Sequence, residues 1–295
     1  MSCVDEPEWL TTRFQQHRPH LRAVAYRMLG SVAEADDALQ EAWLRIHGQD
    51  PACVENMQAW LTTVVGRVCL NMLRTRRARR EILEVHVPDP VVTVRNGGDP
   101  EQEALLSDSV GLALLVVLDS LTPAERLAFV LHDVFGVPFA DVAAALGRSE
   151  TAAQQLASRA RRRVQGAPEP DADLVRQKKV VGAFFSASRD GDFDALVAVL
   201  DPDVELRIDG GVLRAGASLV LRGADTVAAH TGTYRRLHPY VLPAVVNGAA
   251  GAVIAPHGRL FAVMAFTVTN GKVSQIDALL DPQRLAQLDL VLPDP

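Results

Sequence analysis

The sequence predicts a multidomain chain: two all-α units, the second a helix-turn-helix, followed by an α+β unit. Three observations predict it. Phe139 to Arg163 carries the periodicity and the turn chemistry of two short crossing helices. After residue 200 the helical period gives way to strict alternation, and two stretches rich in proline, glycine and acid interrupt the pattern. The expected boundaries are an α unit at 1–84, a flexible linker at 85–108, the helix-turn-helix unit at 109–166, a second linker at 167–173 and the α+β unit at 174–295.

In the first unit Ser31 and Glu34 form a capping box ahead of an apolar stripe at Ala35, Ala38, Leu39, Ala42, Trp43 and Ile46. A second long helix runs from about Gln58 to Arg80 on Trp60, Leu61, Val64, Val65, Val68, Leu70 and Leu73, and its last turns are almost all arginine. Pro88, Pro90, Gly97, Gly98 and Pro100 then predict the flexible linker. Thr122, Pro123 and Glu125 start the next helix with a capping box and a proline at its first position.

In the helix-turn-helix, Val142, Ala143 and Leu146 make the first helix's buried stripe, Gly147 permits a left-handed turn and Ser149 caps the second helix. Ala153, Leu156, Ala160 and Val164 fall on one face of that helix, which turns Thr151, Gln154, Gln155, Ser158, Arg159 and Arg162 outward. Such side chains suit base edges and phosphates. An ordinary helical hairpin with a solvated arginine face is the plain alternative.

The α+β unit opens with helices over Leu174 to Arg189 and Phe193 to Leu200. Val204, Leu206 and Ile208 then alternate with Glu205, Arg207 and Asp209, the period of a half-buried strand. Asn270-Gly271 between two apolar runs signals a hairpin, and the expected sheet is curved and antiparallel.

Composition bounds the function. With 48% hydrophobic and 22% charged residues the chain reads as soluble and globular, and its net charge of −6 means that nucleic-acid binding must rest on local clusters. Such clusters exist: six arginines and no acid between Arg67 and Arg80, and four more between Arg159 and Arg163. Cys3, Cys53 and Cys69 are too few and too scattered for a disulfide framework or a metal site, so neither metal nor cofactor is expected. An acidic amino terminus and the short apolar run at 111–118 predict neither a signal peptide nor a membrane span, and hence a cytoplasmic protein.

Taken together, these segments resemble the extracytoplasmic-function sigma factors of bacterial RNA polymerase. Asp36-Asp37-Ala38-Leu39-Gln40-Glu41-Ala42-Trp43-Leu44-Arg45 is similar to the family's polymerase-binding helix, which implies that Asp36, Asp37, Gln40, Glu41, Leu44 and Arg45 contact core RNA polymerase. Residues 60–77 resemble the segment that melts and reads the minus-ten element, implying promoter contacts from Arg67, Asn71, Arg74, Arg76 and Arg77. The helix-turn-helix corresponds to the minus-thirty-five reader, with Thr151, Gln154, Gln155, Ser158, Arg159 and Arg162 toward DNA. The third unit resembles the cone-shaped SnoaL-like, or nuclear-transport-factor-like, fold carried by some of these factors. His86-Val87-Pro88-Asp89-Pro90 stands where that subgroup has Trp-Leu-Pro-Glu-Pro, Asp209-Gly210-Gly211 where it has Asp-Gly-Gly-Gly, and Asp281-Pro282-Gln283-Arg284-Leu285 where it has Asn-Pro-Asp-Lys-Leu. The resemblance implies regulatory contacts at Pro88, Asp89, Pro90, Asp209, Gly210, Gly211, Asp281, Pro282 and Arg284.

The resulting expectation is a transcription initiation factor, not an enzyme, whose partners are core RNA polymerase and promoter DNA, with an unidentified small ligand of the third unit as a further expected partner. Two alternatives stay open on the sequence. A helix-turn-helix regulator with a ligand-sensing domain would dispense with the Asp36 to Arg45 surface. A cone-fold isomerase or cyclase would draw its acid or base from Asp203, Asp209, His230, Tyr234 or Asp277.

Overall fold

The computed structural model describes residues 6–47, 54, 56–79, 85–94, 112–165, 170–288, 290 and 292, with the side chains of 6–8, 77–79 and 215 excepted. Cys3, Cys53, the remainder of the first expected linker at 95–108 and residues 167–169 of the second lie outside the described residues. The chain forms two compact units, Met1–Glu81 with Val117–Gly166, and Ile82–Val116 with Ala167–Pro295.

The first unit is all helical. Helices α1 (Glu6–Leu29), α2 (Val32–Ile46) and α3 (Met57–Arg79) pack on one another through Leu21, Val24, Ala38, Leu39, Leu61 and Val65, all buried. Ser31 caps α2 by accepting from the Glu34 amide. Helix α4 (Leu112–Ser120) leads into α5 (Pro123–Phe129), whose capping box is complete: Thr122 accepts from the Glu125 amide and Glu125 from the Thr122 amide. A π-helical turn, Val130–Val134, follows before α6 (Phe139–Leu146) and α7 (Glu150–Val164).

The two helical segments expected at 1–84 and 109–166 lie mostly within one compact unit. Helix α3 packs on both α5 and α6. A Cβ on Gly66 would stand 3.0 Å from a Leu127 methyl and 3.1 Å from one of Leu131, so a larger residue there would make these side chains shift. Arg126, 2% exposed, donates to the Arg27 carbonyl at the end of α1 and to Asp119, which also receives Arg76 of α3. Amphipathic periodicity places apolar stripes but does not show that two helical groups share a buried arginine.

The second unit is α+β. Its sheet runs β1-β4-β5-β6-β7-β2-β3, with strands β1 (Val92–Thr93), β2 (Leu200–Asp209), β3 (Leu219–Arg222), β4 (Val241–Val246), β5 (Ala249–Ile254), β6 (Ala262–Thr269) and β7 (Lys272–Leu279). Pairing is antiparallel except between β2 and β7, which are parallel, so the expected all-antiparallel sheet is corrected to a mixed one. Asn270 and Gly271 turn the β6–β7 hairpin with φ of 53° and 76°.

Helices α8 (Leu174–Asp190), α9 (Phe193–Val199) and α10 (Ala224–Gly232) contribute Val181, Phe184, Leu196 and Val227 to a core with Leu206, Ile208, Phe266, Ile276 and Ala278 of the sheet. A last short helix, α11 (Pro282–Leu285), is capped by Asp281. Of the second expected linker, Asp171 is ordered against the hairpin, its carboxylate accepting from the Asn270 and Gly271 amides.

By strand alternation Glu205, Arg207, Gln275 and Asp277 occupy the face opposite this core. Burial pushes the Asp277 carboxyl up to about 6 against the pull of Arg207 and of a hydrogen bond from Gln275. A carboxyl raised in the folded state is most favourable to folding below its unfolded value, and that contribution is lost as pH rises toward the folded value. Two pH units correspond to roughly 3 kcal/mol. Asp277→Asn should therefore raise stability at pH 7, by about 1–3 kcal/mol, and flatten the stability profile between pH 4 and 6. Urea titrations at the two ends of that window measure it, and a gain no larger at pH 7 than at pH 4 would assign Asp277 no such role.

Candidate nucleic-acid interface and linker clamp

The outer face of α7 is built as the sequence expects. Ser149 accepts from the Ala152 amide, Gly147 turns with φ 64°, and Ala153, Leu156, Ala157 and Ala160 are buried. Thr151, Gln154, Gln155, Ser158, Arg159 and Arg162 are exposed. Arg159 differs from the rest, because its guanidinium lies 3.4 Å from Glu125, which also pairs with Arg163 at 3.1 Å. Burial opposes ionisation of Glu125, but hydrogen bonds from Thr122 and the charges of Arg163 and Arg159 hold its carboxyl below the usual range. The capping carboxylate of α5 thus also fixes the basic end of α7.

The arginine-rich end of α3 is less uniform. Asn71 and Arg74 are exposed. Arg67 is exposed but donates to the Ala144 carbonyl of α6 at 2.6 Å. Arg76 is held by the Leu29 carbonyl, Glu34 and Asp119 at 2.9–3.2 Å, so its guanidinium serves packing in this conformation. The Arg77 side chain lies outside the described residues.

On α2, Asp37, Gln40, Leu44 and Arg45 are exposed, with Leu44 at 67%. Asp36 is instead gripped bidentately by Arg22 at 3.0 and 2.9 Å, and Glu41 pairs with Arg45 one turn on. Asp36 therefore orients α2 on α1 rather than standing free. Cys69 is buried in α3 and burial pushes its thiol up, which keeps it protonated and unreactive.

In the α+β unit the expected regulatory residues converge. Arg284 donates to Asp209 at 2.7 Å, to Asp89 and to the Val87 carbonyl. Asp209, 2% exposed, also accepts from the Val87 amide at 2.9 Å and from the Gly211 amide at 3.0 Å. His86 approaches the same carboxylate at 3.5 Å. Gly211 has φ 60°, and a Cβ there would lie 2.0 Å from Asp281, so the turn after Asp209 needs glycine on both counts. Pro88 and Pro90 are buried beside the cluster, and Pro282 starts α11, which carries Arg284.

The flexible linker expected at 85–108 is thereby corrected over its described part. Val92 and Thr93 add an edge strand to β4, and Val91 exchanges hydrogen bonds with Asn247 through its amide and carbonyl. Sequence reasoning missed Asn247, and it named His86 and Val87 in the linker motif without assigning either a contact. The Asn247-Gly248 turn was a signal, with φ of 49° and 77°. Strand alternation pointed Asp209 outward correctly, but not to the chain segment that covers it.

A helix-turn-helix with an exposed polar face, a basic helix α3 and a separate α+β unit define a multidomain DNA-binding transcription factor. The sigma-70 region 2 family matches residues 13–79 and the sigma-70 region 4 family matches residues 111–164. The chain is 40% identical to the ECF RNA polymerase sigma factor SigJ of Mycobacterium tuberculosis over 92% of each sequence. It is 34% identical to a probable ECF RNA polymerase sigma factor, SigI, of the same species, over 95% of this chain and 96% of that one. The crystal structure of M. tuberculosis SigJ superposes with a TM-score of 0.77 at 35% identity, covering 95% of this chain and all of that one. The chain belongs to the extracytoplasmic-function family of RNA polymerase sigma factors and carries a carboxyl-terminal SnoaL-like domain. It is a transcription initiation factor that binds core RNA polymerase and directs it to promoters. Among the described residues no helix is long and apolar enough to cross a membrane.

Proposed function

We propose that promoter selection by this chain is divided between the exposed face of α7 and the basic end of α3, and is restrained in cis by docking of residues 85–94 on the SnoaL-like domain. The observation that carries the restraint is the Arg284 clamp, which joins Asp89 and the Val87 carbonyl to Asp209. Residues 85–94 belong to the segment between α3 and α4, so fixing them shortens the free tether between the two readers. In this reading the functional boundaries are 1–84 and 109–166 for the readers and 174–295 for the regulator, with cytoplasmic location.

Thr151, Gln154, Gln155, Ser158 and Arg162 are the minus-thirty-five contacts, with Arg159 shared between DNA and Glu125. Asn71 and Arg74 are the minus-ten contacts presented in this conformation; Arg67, Arg76 and Arg77 join them when the helical unit loosens on polymerase. Asp37, Gln40, Glu41, Leu44 and Arg45 make the polymerase surface and Asp36 positions it. Gln155→Ala and Arg162→Ala should each weaken promoter binding by holoenzyme by about 1–3 kcal/mol, Gln155 relaxing base preference and Arg162 lowering the salt dependence. Footprinting against salt distinguishes them, and wild-type affinity in both would remove α7 from the interface. Asp37→Lys with Glu41→Lys should abolish co-purification with core polymerase while leaving duplex binding by α7 unchanged. Retained polymerase binding would remove Asp37 and Glu41 from the polymerase contact and place it on another surface.

The SnoaL-like domain acts without catalysis in this reading. Of the five acid–base candidates, Asp209 is committed to the clamp, Asp203 is exposed and Asp277 is on the sheet face opposite the cavity. Only His230 and Tyr234 line the cavity, and no carboxylate stands with them among the described residues.

A further inference from the structure

Between the sheet and α8 and α10 lies a cavity with about 630 Å³ of atom-free space, part of it open to solvent. Phe184, Leu206, Ile208 and Met264 make it apolar. Its polar atoms are mostly engaged: Ser188 and His238 pair at 2.8 Å, and the Thr231 hydroxyl donates to the Val227 carbonyl. His230 differs. Its Nε2 is buried and has no hydrogen-bond partner among the described residues.

A buried polar atom left unmade costs about 1–3 kcal/mol, which a ligand's hydrogen bond would recover. Apolar walls with a few placed polar groups are the general pattern of a small-molecule site, and here His230 is the one whose buried ring nitrogen has no partner among the described residues. We propose that this cavity binds a small, largely apolar molecule, on the scale of one aromatic ring, whose single hydroxyl group hydrogen-bonds His230 Nε2. A hydroxyl fits because it donates or accepts, so it satisfies either imidazole tautomer. An anion does not fit, since neither lysine nor arginine lines the cavity among the described residues and burial lowers the His230 pKa, keeping the ring neutral. Ile208 and Leu280 of the cavity wall are chain neighbours of Asp209 and Asp281. The site itself does not depend on the linker reading.

The test is a titration of the full chain, labelled with ¹³C at methionine methyls, with phenol, toluene and benzoate, following Met264 in the cavity wall. Phenol and toluene should shift this methyl saturably and benzoate should not. His230→Leu should lower the ratio of phenol to toluene affinity by about tenfold, the loss of one buried hydrogen bond. An unchanged ratio, saturable benzoate binding, or no saturable shift with either neutral probe would overturn the proposal. Should His230→Leu disturb the fold, Ala278→Met fills the cavity without touching the imidazole. It should abolish saturable phenol binding, and persistence of that binding would equally overturn the site.

Discussion

Asp119→Ala is expected to destabilise the helical unit by about 3–5 kcal/mol, the penalty for leaving a buried guanidinium without its carboxylate. Asp119 accepts from Arg126 at 2.9 Å and from Arg76 at 3.2 Å, and Arg126 is 2% exposed. Removing the carboxylate takes from Arg126 its ion pair with Asp119 while Arg76 keeps its pair with Glu34, and Asp119→Asn, which keeps an acceptor, should cost less. Because Arg126 also holds the Arg27 carbonyl, the loss should appear as faster amide exchange at the end of α1 and through α5. Urea unfolding of the full chain gives the magnitude. A change within about 0.5 kcal/mol, the range of an ordinary surface substitution, would mean that this network does not join the two helical groups.

The second large effect is expected at Arg284. Its guanidinium spans Asp209, Asp89 and the Val87 carbonyl, a geometry that a planar fork with several donors can satisfy and a lysine ammonium cannot. Arg284→Ala leaves Asp209, 2% exposed, and Asp89 as adjacent carboxylates without the cation between them. The expected cost is about 3–5 kcal/mol at the docked segment, and Arg284→Lys should fall between this and the wild type. Hydrogen exchange should show lost protection at the Val87, Val91 and Asn247 amides, each of which the docked segment engages. Protection unchanged at all three would show that backbone pairing through Val92 and Thr93 suffices to hold the linker.

Local chemistry made some of this legible in sequence. Thr122 with Glu125, Ser149 with Gly147, and Asn270 with Gly271 each fix backbone geometry within four residues, and all are found as expected. Features that depend on distant partners were not legible. The prolines at 88 and 90 read as a flexible linker, yet an extended segment lacking those two donors fits an edge where Val87 and Val91 supply the hydrogen bonds. Parallel pairing of β2 with β7 joins segments about 70 residues apart in sequence, and alternation along either strand is the same for both directions. At the readers, helical period placed α7's polar face correctly but did not reveal that Arg159 pairs with Glu125 or that Arg76 is shared by Glu34 and Asp119. Charge counts locate basic clusters; only packing shows which guanidiniums are already engaged.

Restraint by the clamp is tested most directly by transcription with purified core RNA polymerase, comparing the wild-type chain with Arg284→Ala at matched polymerase occupancy. If docking of residues 85–94 limits the reach between the two readers, freeing them raises promoter-specific transcript yield by about fivefold, the response to roughly 1 kcal/mol of restraint released. A yield that is unchanged or lower, with polymerase binding intact, would contradict restraint in cis and leave the clamp a structural feature of the SnoaL-like domain.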